Sequence, residues 1–270
     1  MKTPGHNRMG IKNPKIDLFC KSKRKLVCLT AYTTYMAEII DEYCDLVLVG
    51  DSLSMVLYGD KNTTRLSLST MIRHGKAVRK GIKKSILVVD MPKNTYEKSP
   101  DIALKNARKI MKETKCDAIK MEGGVAIAKT IKKLVKNNIP VMGHIGLLPQ
   151  QVTKSSEYRI KGKTKIEENI VTNDLLAVQK NGAFSVVIEG VTERLAIKLC
   201  NIAKIKTIGI GATKKCDGQV LVTEDMLGIF DKTAKFVKKY SNLRKIISNS
   251  VKKYNSDIVN QKFPTKKNIY

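Results

Sequence analysis

Tryptophan is missing from this 270-residue sequence, and aromatic residues make up only 5% of it. Stacking platforms for single-stranded nucleic acid are therefore scarce. Cysteine pairs at C-x-x-C spacing are missing too. The six cysteines, at positions 20, 28, 44, 116, 200 and 216, do not combine with the three histidines at zinc-finger spacing. Several lie in apolar runs such as Val27-Cys28-Leu29 and Leu199-Cys200, where a thiol behaves as a small hydrophobe. A reduced, cytoplasmic protein is the simplest account. No apolar stretch reaches the ~18 residues of a membrane helix, and the N-terminal region has no secretory apolar run. A membrane partner is not expected.

Acidic residues are also few: 24, against 51 lysines and arginines, for a formal net charge of +27. Such an excess raises the question of nucleic-acid binding. Three features argue against it. The basic residues are spread along the whole chain, only nine of them are arginine, and aromatic partners are lacking. The clusters Lys21–Lys25 and Lys235–Lys239 are short and sit beside apolar segments, as solvated flanks or helix faces do. No nucleic-acid partner is expected.

With 42% hydrophobic residues the chain can fill a core. The first 25 residues read as a basic arm. Beyond it, seven short apolar runs recur: Leu26–Thr30, Leu46–Val49, Ile86–Val89, Ala118–Met121, Val141–Met142, Ser185–Ile188 and Thr207–Ile210. They do not alternate with polar residues, as expected of strands buried on both faces. Between them lie segments with helical spacing, around Ile102–Met111, Ile127–Val135, Leu175–Val178 and Leu195–Ile202. Strand and helix in alternation imply a parallel α/β sheet, and a barrel and a doubly wound sheet both satisfy that pattern. An eighth strand is expected at Met226–Phe230. The stretches Gly59–Arg65 and Gln150–Lys165 are long connections of the kind that carry substrate lids. Helical spacing from Lys232 onward predicts a terminal helix. The expected organisation is an arm over 1–25, a barrel with its C-terminal helix over 26–250, and a polar tail over 251–270.

The strand ends carry the chemistry. The second run stops at Asp51-Ser52 and the third at Asp90. The fourth carries Lys120 and stops at Glu122, the fifth at His144 and the sixth at Glu189. In a parallel barrel those ends share one mouth. One acid after a strand is commonly a cap or turn residue, but four at four strand ends fit that reading poorly. Gathered together they would repel one another, and a bound cation relieves the repulsion. All-oxygen ligation suits Mg²⁺, and Asp51, Asp90 and Glu122 are the candidate ligands. Lys120 shares a strand face with Glu122. It can bind a substrate carboxylate or simply pair with Glu122. Glu189 is left free as a general base, provided burial raises its pKa. His144, flanked by Gly143 and Gly146, can hydrogen-bond substrate or hold its loop. A 2-oxo acid suits such a site, because Mg²⁺ acidifies the carbon beside its carbonyl.

The local strings support a narrower reading. Leu29–Tyr32, Val49–Ser52, Met55–Gly59, His74 with Lys76–Arg79, Asp90–Pro92, Lys120–Gly124, Gly143–Leu147 with Pro149-Gln150, Glu189, and Ile208–Ala212 with Asp217–Gln219 occur in one order. This ordered set resembles the ketopantoate hydroxymethyltransferase family over about residues 26–230. The resemblance implies a (β/α)₈ TIM barrel of the phosphoenolpyruvate/pyruvate superfamily. It implies transfer of a hydroxymethyl group from 5,10-methylenetetrahydrofolate to 3-methyl-2-oxobutanoate, on the way to pantothenate and coenzyme A. Asp51, Asp90 and Glu122 would surround Mg²⁺. Asp51, Ser52, Asp90 and Lys120 would contact the oxo acid, and Glu189 would accept the proton. A cytoplasmic homo-oligomer, typically a decamer, is implied as well.

The chain departs from that family pattern at Thr33, Thr213, Ser155-Ser156-Glu157 and Asp60–Arg65. None of these removes an expected metal ligand or the base. Two readings compete with the transferase: a lyase of the same superfamily acting on a 2-oxo or hydroxy acid, and a barrel retained as an inactive interaction protein.

Overall fold

The computed structural model describes residues 13–152 and 157–270. Eight parallel strands close into a barrel in sequence order. They are β1 (Leu26–Thr30), β2 (Leu46–Val49), β3 (Ile86–Asp90), β4 (Ala118–Glu122), β5 (Val141–Gly146), β6 (Ser185–Glu189), β7 (Lys206–Ile210) and β8 (Gly218–Leu221). The first eight helices are α1 (Pro14–Lys21), α2 (Thr34–Ile40), α3 (Leu53–Tyr58), α4 (Leu68–Gly81), α5 (Pro100–Thr114), α6 (Ala128–Lys136), α7 (Lys165–Lys180) and α8 (Glu193–Ile202). Of the two readings that the alternating pattern allowed, the barrel is the observed one.

The strands are apolar on both faces because each face meets a different core. Leu46, Leu48, Ile86, Val88, Ala118, Met142, Val187, Ile208 and Val220 fill the barrel interior. Their neighbours Val47, Val49, Leu87, Val89, Ile119, Met121, Val186 and Ile188 face the helices and pack with residues such as Val78, Ala107, Ile131 and Leu175. This explains why the runs lack polar alternation. The helix starts follow local chemistry. Ser99 accepts the Ile102 N–H with Pro100 in the first turn of α5, Thr164 accepts the Glu167 N–H at α7, and Thr192 accepts the Leu195 N–H at α8.

Three expectations change. The N-terminal arm is helical over Pro14–Lys21, and residues 1–12 lie outside the described residues. Asn13 caps this helix through the Lys15 and Ile16 N–H groups. Its Ile16 and Phe19 join the interior cluster, with Phe19 edge-on to Phe184 at 5.9 Å, so α1 stops the N-terminal end of the barrel. Two buried apolar side chains in a basic context carry too little periodicity to show this in advance.

The eighth strand is Gly218–Leu221, not Met226–Phe230. It is short, and its Gln219 is exposed between the buried Gly218 and Val220. Gly218 fits because any side chain there would collide with the Leu26 backbone oxygen on the neighbouring strand. The Met226–Phe230 run is instead the end of a short helix, α9 (Thr223–Met226), and a turn with Gly228 at φ 73°.

The barrel unit ends at Val222, and a second compact unit spans Thr223–Tyr270. Residues 232–242 are not helical. Tyr240 N–H bonds to Met226 O and Leu243 N–H to Leu227 O. Asn242 then caps the Lys245 N–H, which starts α10 (Leu243–Val259). The expected tail is thus helical up to Val259.

Candidate active site

The interior face of each strand continues upward to the C-terminal rim. On β3 the inward series Ile86, Val88 ends at Asp90. On β4, Ala118 is followed by Lys120 and Glu122, on β5 Met142 by His144, and on β6 Val187 by Glu189. The period-2 alternation of side chains makes this unavoidable once the lower residues face inward. Register then sets the neighbours: Asp90 lies opposite Lys120, Glu122 opposite His144, and Gly146 opposite Glu189. Gly146, at φ 96°, lets β5 lie close to β6, since a side chain there would strike the Glu189 backbone oxygen. Gly143 has a different purpose: it faces outward and makes room for Val178 of α7.

These groups are buried and interlocked. Asp51, Asp90, Lys120, Glu122 and His144 are each no more than 5% exposed. Lys120 Nζ pairs with Asp90 Oδ1 at 2.8 Å, so its ionic partner is its ladder neighbour rather than Glu122. Asp90 Oδ2 accepts the Asp51 N–H at 3.0 Å. His144 lies between two carboxylates, with Nδ1 3.3 Å from Glu122 Oε1 and Nε2 3.2 Å from Glu189 Oε2. The imidazole therefore ties Glu122 to Glu189. Ser52, next to Asp51, shares a 2.8 Å hydrogen bond with the Tyr32 hydroxyl.

Burial raises the Asp51 pKa to about 7, helped by Glu122 and Asp90 and opposed by Lys120 and Gln150. Burial alone would discharge His144, but Glu122 and Glu189 outweigh it and raise the imidazole to about 9. Burial would likewise raise Glu122, yet His144, Lys120 and the Gln150 N–H hold it below the ordinary range. Burial disfavours the Lys120 ammonium, but Asp90, Glu122 and Asp51 reverse the balance and hold its pKa above normal.

The donor set fits a hard divalent cation. Asp90 Oδ1 and Glu122 Oε1 are buried beside Lys120 Nζ and His144 Nδ1 respectively, but neither receives a hydrogen bond in good geometry. Four carboxylates face one ammonium and one imidazole, which leaves negative charge uncompensated. Among the described residues, no three His, Cys, Asp or Glu side chains form a ready-made cage. Mg²⁺ does not require one, since it keeps several waters and is held by one or two carboxylates plus substrate.

Two further residues complete the cluster and were not singled out from the sequence. Gln150, in the turn Pro149–Gln151 after β5, donates Nε2 to Asp51 Oδ2 at 2.9 Å. Tyr96, after β3, donates its hydroxyl to Gln150 Oε1 at 2.7 Å. Both are polar residues of loops, where no periodicity marks them. The only signal was that Gln150 closes one of the strings that carry the family resemblance. Of the departures, Thr33 begins α2 with a buried, unpartnered hydroxyl. Thr213 accepts from Gln219 Nε2 through its main-chain oxygen. Ser155 and Ser156 lie outside the described residues.

A closed parallel barrel with ionisable groups from successive strands at its C-terminal rim is the arrangement of (β/α)₈-barrel enzymes. Its fold is shared with phosphonopyruvate hydrolase, solved in complex with oxalate and Mg²⁺, at a TM-score of 0.61 and 11% identity, over 94% of this chain and 92% of that one. It is shared too with 2,3-dimethylmalate lyase, a member of the PEP mutase/isocitrate lyase superfamily. There the TM-score is 0.59 at 11% identity, with 95% and 89% covered. The sequence narrows this class further. The ketopantoate hydroxymethyltransferase family model matches residues 11–266, and the chain belongs to that family of enzymes. The 3-methyl-2-oxobutanoate hydroxymethyltransferase of Pelagibacter ubique (strain HTCC1062) is 50% identical over 260 residues, covering 96% of this chain and 100% of that protein.

Proposed function

We propose that this chain adds the one-carbon unit of 5,10-methylenetetrahydrofolate to 3-methyl-2-oxobutanoate, giving 2-dehydropantoate in the first step of pantothenate biosynthesis. Asp51, Asp90 and Glu122 would hold Mg²⁺, directly or through its bound waters. When bound, the ion supplies Lewis acidity to the keto group and so acidifies the adjacent carbon. The substrate-binding set is Asp51, Ser52, Asp90, Lys120 and His144. Lys120, fixed by Asp90, offsets negative charge that develops on the oxo acid. Glu189 takes the proton from the carbon beside the carbonyl. Its side chain is 16% exposed, against 2% for Glu122, so it stands nearer the open side of the rim. His144 keeps the Glu189 carboxylate turned inward. A cytoplasmic homo-oligomer, decameric by family resemblance, belongs to the same proposal.

The observation that carries this reading is the buried Lys120–Asp90 pair beside Asp51 and Glu122, with Glu189 across the rim. The test is turnover of 3-methyl-2-oxobutanoate with and without methylenetetrahydrofolate, before and after EDTA. Oxo-acid loss should require the folate, stop on chelation and return with added Mg²⁺. Folate-independent consumption, or cleavage of a larger hydroxy acid instead, would favour a lyase. Turnover indifferent to EDTA would remove the metal from the scheme.

A further inference from the structure

Gln150 has no part in the chemistry above, yet it touches more of the site than any one carboxylate does. It is 2% exposed. Nε2 donates to Asp51 Oδ2 and to Met91 O, both at 2.9 Å. Oε1 accepts the Tyr96 hydroxyl at 2.7 Å. Its main-chain N–H donates to Glu122 Oε2 at 3.0 Å. One residue therefore holds an oxygen of Asp51, after β2, and an oxygen of Glu122, at the end of β4. It also touches the residue that follows Asp90.

The amide has only one acceptable orientation. An amide's oxygen and nitrogen are assigned from their partners. Turned over, Gln150 would set its oxygen against the Asp51 carboxylate and the Met91 carbonyl at once. Tyr96 secures the observed orientation from the other side. Its ring is buried, and its oxygen also receives the Glu122 N–H at 3.3 Å. The choice of side chain matters as well. A lysine here would orient the carboxylates but cancel the charge that attracts a cation. A neutral donor orients them and leaves that charge in place.

We infer that Gln150 is a positioning residue. It sets the Asp51 and Glu122 carboxylates in the mutual orientation that binds the divalent cation, and Tyr96 locks its amide. The inference rests on the metal reading proposed above. Groups that orient metal-binding carboxylates in this way change metal affinity by about 10–100-fold when removed.

The test uses the full chain with Gln150→Met, which keeps side-chain length and loses every side-chain hydrogen bond, and with Tyr96→Phe. Mn²⁺ serves as the probe, its free concentration followed by electron paramagnetic resonance, and thermal unfolding gives an independent measure of folding. Gln150→Met should weaken Mn²⁺ binding about 10–100-fold and lower kcat for the oxo acid in parallel. Tyr96→Phe should move both in the same direction by a smaller factor. A purely structural role would lower the melting temperature and leave Mn²⁺ affinity unchanged, and that result overturns the inference. If Gln150→Met does not fold, unchanged Mn²⁺ affinity in Tyr96→Phe overturns it instead. Failure of the unaltered chain to bind Mn²⁺ is a separate result: it removes the metal reading itself, and this inference with it.

Discussion

Glu189 and Glu122 are both glutamates at strand ends, both beside His144, and their surroundings suit them to the different roles proposed above. Glu122 is enclosed and takes the Gln150 N–H as well as the imidazole. Glu189 has the imidazole on one side and keeps part of its surface open. A group that must meet a substrate proton needs that opening. Glu189→Gln should retain oxo-acid binding and lose at least ~10²-fold in kcat, the scale of a missing general base. Isothermal titration beside steady-state kinetics checks both halves, and near-normal turnover would assign the base elsewhere. These rim residues were legible because each ends an apolar run. Gln150 and Tyr96 were not, because a polar loop residue becomes informative only when the loop is placed in space. Nor does a sequence reveal that Lys120 pairs across the ladder with Asp90, which depends on register.

Among the elements, seven strands stood out as mostly apolar runs without polar alternation, since a strand covered on both faces has little place for polar residues. The eighth has an exposed Gln219 and a glycine start, so it lacks that signature. Connections between elements carry their own determinants. Asp41 closes α2 and accepts N–H groups from Lys83, Lys84 and Ser85 at the entry to β3. Burial would raise its pKa, but those backbone donors outweigh burial and lower it. A lowered folded-state pKa means the ionised form stabilises the fold. That stabilisation is complete above the unfolded value of about 4 and fades as pH falls through the folded value. Asp41→Ala should cost about 2–3 kcal/mol at pH 7, as expected for hydrogen bonds to a charged acceptor. Urea unfolding at a series of pH values should show the gap between variant and parent closing below about pH 4. A gap independent of pH would mean the carboxylate's charge is irrelevant.

At the scale of the whole molecule, the excess of lysine is spread over loops and helix exteriors. In α6, Lys129, Lys132, Lys133 and Lys136 line the outer side while Ile131, Leu134 and Val135 are buried. No helix among the described residues is long and apolar enough to cross a membrane. The stopper formed by Ile16 and Phe19 has a kinetic consequence. With the apolar side chains that fill the interior, it makes the barrel a cul-de-sac, so on the function proposed above both reactants and both products would pass through a single doorway. In that scheme the oxo acid, bound at Lys120, would enter ahead of the bulkier carrier and be penned in behind it. Saturating carrier should therefore slow the escape of radiolabelled oxo acid in a rapid-dilution experiment. Escape at an unaltered rate would mean that the carrier does not cover the oxo acid.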